Sequence, residues 1–269
     1  MAKPFIFIFP GQGSQKIQMG YDLYKNHSKA REVFDEVDES LNQKLSKIIF
    51  DGPDSDLTLT ANTQPALMCV SIATIKVLEF ELNKKISDYV EIVLGHSLGE
   101  YSALCSVNAI SLNDTSKLLR IRGDSMQNAV KHLETKMAAV IGLDIKEVED
   151  VINNENLSSG EICEIANDNC PGQIIISGTS KGVENASENL KKIGARSIID
   201  LNVSAPFHCS LMNSASEEVG QYIKSTNFSE FKTNFISNVT ADFESKIRKI
   251  KELLVEQIFS RVRWRESIL

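Results

Sequence analysis

The chain has 269 residues, 42% hydrophobic and 24% charged, enough for one sizeable core with a smaller subdomain attached. Its formal net charge of −7 argues against a nucleic-acid or anionic-membrane surface as the main partner. Five cysteines, Cys69, Cys105, Cys163, Cys170 and Cys209, occur without a CxxC spacing, which weakens zinc and redox readings and points to reduced thiols in a cytosol.

In chain order, residues 4–9 read as a buried strand; the apolar run from Phe5 to Phe9 is too short for a signal segment or a membrane span. Pro10 and the loop Gly11-Gln12-Gly13-Ser14-Gln15 break it. Residues 21–49 carry Leu23, Phe34, Val37, Leu41, Leu45 and Ile48 at helical spacing. Asn62-Thr63-Gln64-Pro65 opens another helix, with the proline in its first turn. Residues 89–94 form a second buried strand that enters Gly95-His96-Ser97-Leu98-Gly99, and a helix follows to about residue 107. Ser111 and Asp114 make a capping box at the head of a long helix reaching about residue 132. A strand (137–143), a helix (145–153), two strands (162–166 and 173–177), a helix (182–193) and a strand (197–203) give the βαββαβ order of a ferredoxin-like subdomain. The chain then returns to a helix (209–225), a short strand (234–239) and a helix (243–259).

Gly95-His96-Ser97-Leu98-Gly99 fits the G-x-S-x-G nucleophile elbow. Glycines flank a turn too tight for side chains, the serine rises at a helix N-terminus, and the Leu98 amide can face a developing oxyanion. An ordinary glycine-rich turn is the alternative. Of the four histidines, His27 and His132 sit in polar helical surroundings and His96 points away if Ser97 holds the apex. His208, just past a strand, is left as candidate base; a satisfied structural histidine is the competing reading. Serine before histidine fits an α/β-hydrolase-like arrangement. The Gly11–Gln15 loop can present backbone amides, and it lacks the lysine of a phosphate-binding loop. Arg122 shares a helix face with Leu119 and Met126, so its guanidinium needs a buried anion, either a substrate carboxylate or one from the protein.

Six segments together resemble the malonyl-CoA:acyl carrier protein transacylases. They are Phe9-Pro10-Gly11-Gln12-Gly13-Ser14-Gln15, Asn62-Thr63-Gln64-Pro65-Ala66, Gly95-His96-Ser97-Leu98-Gly99-Glu100, Arg122-Gly123 with Met126-Gln127, Asn169 with Pro171-Gly172-Gln173, and Ala205-Pro206-Phe207-His208. The resemblance implies a ping-pong transfer of malonyl from malonyl-CoA to the phosphopantetheine thiol of acyl carrier protein, for fatty-acid synthesis. Ser97 would be the nucleophile and His208 the base, with the matching position for a base-orienting backbone carbonyl at Gln257. The resemblance further implies an oxyanion hole at the Gln12 and Leu98 amides, a malonyl clamp at Arg122, and Asn169 among the substrate-binding residues. A Phe before the histidine, here Phe207, goes with malonyl in related domains, where Ser goes with methylmalonyl.

The expected fold is therefore α/β, an α/β-hydrolase-like large subdomain (1–132 and 205–269) with an inserted ferredoxin-like small subdomain (133–204). A cytoplasmic monomer is expected, with no cofactor or metal and no nucleic-acid or membrane partner. Family members are expected to continue with a glycine-rich segment and a terminal helix, whereas this chain stops at Leu269. The same elbow also serves serine thioesterases and esterases, which need no buried arginine.

Overall fold

The computed structural model describes residues 5–154 and 160–269; Pro4, expected in the first strand, lies outside the described residues. The described residues contain eight strands, β1 (Phe5–Phe9), β2 (Val90–Gly95), β3 (Thr135–Ile141), β4 (Cys163–Cys170), β5 (Gln173–Thr179), β6 (Ser197–Asp200), β7 (Asn234–Ile236) and β8 (Phe243–Glu244). With the helices between them they make a mixed α/β fold in two compact units.

The first unit comprises Met1–Asp124, Gln221–Ser237 and Phe243–Lys251. Its sheet has the order β1-β2-β7-β8, with β1 and β7 parallel to β2 and β8 antiparallel to β7. Phe9 pairs with Gly95, so β1 and β2 end together and deliver their loops to the carboxyl edge of the sheet, where α/β folds gather ligands. The sequence predicts a buried first strand. The structure instead puts β1 at the sheet edge, with Phe5, Ile6 and Ile8 exposed and Phe9 buried.

The helical periodicity over 21–49 resolves into three helices, Tyr21–Asn26, Ser28–Ser40 and Leu45–Asp51. His27 is extended between the first two, and Asn42 takes φ +47° before the third, a conformation that asparagine tolerates better than most residues. Val33, Phe34, Val37, Leu45 and Ile49 are buried on these helices, all three of which pack on the long helix Thr60–Leu82. That helix begins upstream of the predicted start, because the Asn62 and Thr63 amides both donate to Leu59 O at 2.8 Å. Pro65 consequently lies inside the helix, where it cannot supply the bond to the Ala61 carbonyl.

The second unit comprises Ser125–Gly220, Asn238–Asp242 and Glu252–Leu269. Its sheet has the order β4-β5-β3-β6 and all three pairings are antiparallel. Ala138 and Val140 of β3 and Ile174 and Ile176 of β5 alternate onto one face, where Val148 of helix Ile145–Asn154 and Val183, Ala186 and Leu190 of helix Ser180–Lys192 cover them. This unit extends beyond the 133–204 expected for the small subdomain, for a physical reason. Val262 pairs with Asn167 in a parallel bridge, and Arg265 places three hydrogen bonds of 2.9–3.1 Å on the buried Asp168 carboxylate. The C-terminal segment is thereby bound to β4. Among the described residues no helix is long and apolar enough to cross a membrane.

The helix Leu112–Asn128 is capped as the sequence predicts, with the Asp114 amide donating to Ser111 Oγ at 3.0 Å. Its Gly123 lies against the long helix, where an added Cβ would stand 2.6 Å from Ala61 Cα. Alanine at a helix position contributes up to about 1 kcal/mol over glycine, but overpacking costs about 1–3 kcal/mol and backbone atoms cannot rotate aside. Gly123→Ala should therefore lower the melting temperature by several degrees, as read by differential scanning calorimetry; an unchanged or raised value would show that the two helices can separate freely.

Candidate functional site

The first unit holds Gln12, Ser97, Leu98 and Arg122, and the second holds Asn169, Phe207, His208 and Gln257. At the head of β2 the chain turns directly into helix Gly99–Ser106. A Cβ on Gly95 would lie 2.0 Å from the Gly99 carbonyl, and one on Gly99 would lie 2.5 Å from Phe9 O. Only glycine fits at either position, which is the steric requirement of an elbow. Ser97 at the apex has φ +53°, a left-handed conformation that costs a non-glycine residue about 1–3 kcal/mol. Amides of Gly99, Glu100 and Tyr101 return to the carbonyls of His96, Ser97 and Leu98 at 2.9–3.1 Å and hold the turn.

The Gly11–Gln15 loop packs behind this elbow. The His96 amide donates to Phe9 O at 3.0 Å, and a Cβ on Gly11 would meet His96 Nδ1 at 2.7 Å. The His96 ring therefore sits against the loop, as expected if Ser97 holds the apex. Gln12 donates from Nε2 to Thr60 Oγ1 at 3.3 Å, and Ser14 Oγ closes onto Gly11 O at 2.7 Å.

Arg122 is 1% exposed. Its Nη1 donates to Gln64 Oε1 at 2.8 Å and its Nη2 to Ser97 Oγ at 3.0 Å, while the guanidinium carbon stands 5.6 Å from the Tyr101 ring centre. Burial pushes the pKa of this arginine down, and Tyr101 and Glu100 pull it back; the guanidinium stays charged, as arginine does in proteins. The Tyr101 hydroxyl, pushed up to about 12 by burial against the opposing pull of Arg122, remains a neutral phenol. A fixed positive charge thus reaches the Ser97 oxygen with neutral groups at both of these hydrogen bonds.

In the second unit His208 Nδ1 lies 2.8 Å from the backbone oxygen of Gln257. A carbonyl can only accept, so Nδ1 carries the proton and Nε2 of the neutral ring presents its lone pair. The Gln257 carbonyl lies just past helix Ile247–Glu256, where carbonyls have no intrahelical donor. His208 has φ +59°, a second strained backbone at a candidate catalytic position. Phe207 before it is buried. Asn169 occupies the extra position of a β-bulge, since Asp168 pairs with Ile174 and Cys170 with Gln173; bulges re-aim side chains in this way.

Residues 6–269 match the acyl transferase domain family. The chain belongs to the acyl transferase family. It is 46% identical over 265 residues to the malonyl CoA-acyl carrier protein transacylase of Bacillus subtilis strain 168, covering 97% of this chain and 81% of that protein. The crystal structure of an acyl-carrier-protein-S-malonyltransferase from Bartonella henselae superposes with a TM-score of 0.93 at 50% identity, covering 98% of this chain and 83% of that one. A type II PKS acyl-carrier protein in complex with its malonyl-transacylase matches with a TM-score of 0.91 at 33% identity, covering 97% and 83%.

Sequence reasoning on this acyl transferase missed Gln64 and Thr60 as site neighbours. The available signal was a run of polar residues, Thr60 and Asn62 to Gln64, buried inside a helix, where polar side chains need partners. Cys69, Cys105 and Cys209 offer no rival nucleophile. Burial pushes Cys69 well up, and raises Cys105 and Cys209, the neighbour of His208, to about 11. Cys163 is buried and Cys170 is exposed. Raised pKa values suppress the reactive thiolate at pH 8, so iodoacetamide should label the native protein at Cys170 alone. Peptide mass spectrometry checks this, and rapid labelling of Cys209 would contradict it.

Proposed function

We propose that this acyl transferase moves a malonyl group from malonyl-CoA to the phosphopantetheine thiol of acyl carrier protein through a malonyl-serine intermediate, in fatty-acid biosynthesis. The observation that carries the reading is Arg122, a buried guanidinium donating to the oxygen of Ser97. A hydrolase of simple acyl groups has no use for such a charge, whereas malonyl carries a free carboxylate that a guanidinium can bind through two hydrogen bonds. The names of the relatives support the same substrate and acceptor.

In the proposed mechanism the Ser97 oxygen attacks the thioester carbonyl and gives its proton to Nε2 of His208. The hydrogen bond to the Gln257 carbonyl supports this tautomer and favours the imidazolium that forms. Backbone amides of Gln12 and Leu98 take the oxyanion, Leu98 being the residue that caps helix Gly99–Ser106. Coenzyme A leaves with the proton from His208, and the carrier thiol runs the steps in reverse. Arg122 holds the carboxylate, its Nη2 turning from Ser97 to the substrate, and Asn169 and Phe207 line the acyl side. No step requires a cofactor or a metal. Five free thiols support a reducing cytoplasm, and the enzyme is proposed to act there as a monomer. The βαββαβ order with sheet order β4-β5-β3-β6 supports a ferredoxin-like second unit, and the parallel strands leading to the elbow support an α/β-hydrolase-like first.

Ser97→Ala should abolish the malonyl adduct seen by intact-protein mass spectrometry while leaving the melting curve in place; a persisting adduct would locate the nucleophile elsewhere. Arg122→Ala separates carboxylate binding from a purely structural arginine. Loss of a buried charge-assisted contact amounts to roughly 3–5 kcal/mol, so malonyl transfer should fall steeply while acetyl transfer holds or improves. A fall of both by one factor, with a lowered melting temperature, would make Arg122 structural.

A further inference from the structure

We propose that Glu164 is a positioning residue that fixes the His208 loop for proton transfer, which rests on the reading of His208 as the base. Glu164 lies on β4, paired across the sheet with Ser177. Its carboxylate takes two hydrogen bonds from a single residue: the Ser210 amide donates to Oε2 at 3.1 Å, and the Ser210 hydroxyl donates to Oε1. Ser210 is two residues past His208 and opens the one-turn helix Ser210–Met212.

His208 needs such an anchor because its backbone is strained. With φ +59° it occupies a region that a β-substituted residue keeps only when the surroundings over-determine it. The Cys209 thiol donates to Pro206 O and the Phe207 amide to Ala205 O, both at 3.1 Å, but these bonds tie the loop to itself. The Gln257 carbonyl holds the ring at Nδ1. Glu164 ties the segment immediately beyond His208 to a strand. A carboxylate suits the task because its two oxygens can accept the N–H and the O–H of one serine together.

Without this tie the His208 backbone can relax out of the left-handed region and carry Nε2 out of the position that proton transfer needs. Arg122, proposed to hold the malonyl carboxylate, is untouched by that change, so the main loss falls on the chemical step.

The test is the rate of malonyl-serine formation, followed by rapid-quench mass spectrometry at a temperature well below every melting point. Glu164→Ala should slow acylation about 10²-fold, the loss that follows a 1 Å misplacement of a catalytic group, with KM for malonyl-CoA unchanged. Glu164→Gln keeps one acceptor and can donate to the serine hydroxyl, so it should recover most of the rate. Ser210→Ala keeps the amide donor and should fall between wild type and Glu164→Ala. In the His208→Ala background Glu164→Ala should add no further loss, because it acts through the missing ring. A wild-type rate for Glu164→Ala, equal damage to kcat and KM, or a full additional loss in the double variant would each overturn the proposal. If Glu164→Ala does not fold, Ser210→Ala decides, and a wild-type rate there overturns it. Wild-type acylation by His208→Ala alone would instead overturn the reading of His208 as base.

Discussion

Where β2 meets helix Gly99–Ser106, backbone lies against backbone: a Cβ on Gly95 would stand 2.0 Å from Gly99, and one on Gly99 would stand 2.5 Å from the Phe9 carbonyl. Two glycines permit that approach, and the paired ends of β1 and β2 enforce it. The remaining features of the first unit follow. Ser97 is forced into a left-handed conformation, its oxygen stands at a helix N-terminus, and the Gly11–Gln15 loop is seated behind it through His96. The strain at Ser97 is about 1–3 kcal/mol, small beside the packing that holds both strands.

Arg122 adds an electrostatic constraint to this steric one. Moving a guanidinium out of water is costly, and burial alone would favour losing its charge. Its very high intrinsic pKa keeps the proton, so the cost is met by the Gln64 and Ser97 oxygens and by the Tyr101 ring. Both hydrogen-bond acceptors are neutral, while the Glu100 carboxylate adds a favourable charge interaction. An aspartate at the position of Gln64 would satisfy the arginine better and, in the proposed reaction, compete with the malonyl carboxylate. The amide positions the guanidinium without cancelling its charge.

The second unit manages the histidine by a different device. A helix C-terminus leaves carbonyls without intrahelical donors, and the one at Gln257 accepts from the imidazole. No buried carboxylate is needed there, and the dipole at a helix end favours the positive ring. The flanking contacts at β4 serve the same region: Glu164 binds Ser210, Arg265 binds Asp168, and a bulge re-aims Asn169.

Much of this was legible in the sequence. Gly95 and Gly99 around Ser97 announce the elbow because no side chain fits at either glycine, and the βαββαβ order is written in alternating periodicities. Arg122 was visible as a charge on an apolar stripe, though the stripe left its partner open. Misreadings came where local pattern met tertiary context. The apolar run Phe5 to Phe9 looked buried, yet an edge strand has only one neighbouring strand, and Pro65 looked like a helix start until Leu59 opened the helix upstream. Composition and spacing thus determined the fold class, the nucleophile turn and the candidate charges, since those depend on steric and periodic rules acting over a few residues. The tertiary structure alone decided that Gln64 holds Arg122, that Glu164 holds the loop of His208, and that residues 252–269 join the second unit. A hydrogen bond spanning 46 or 58 positions exists only once the chain has folded, and no local rule encodes it.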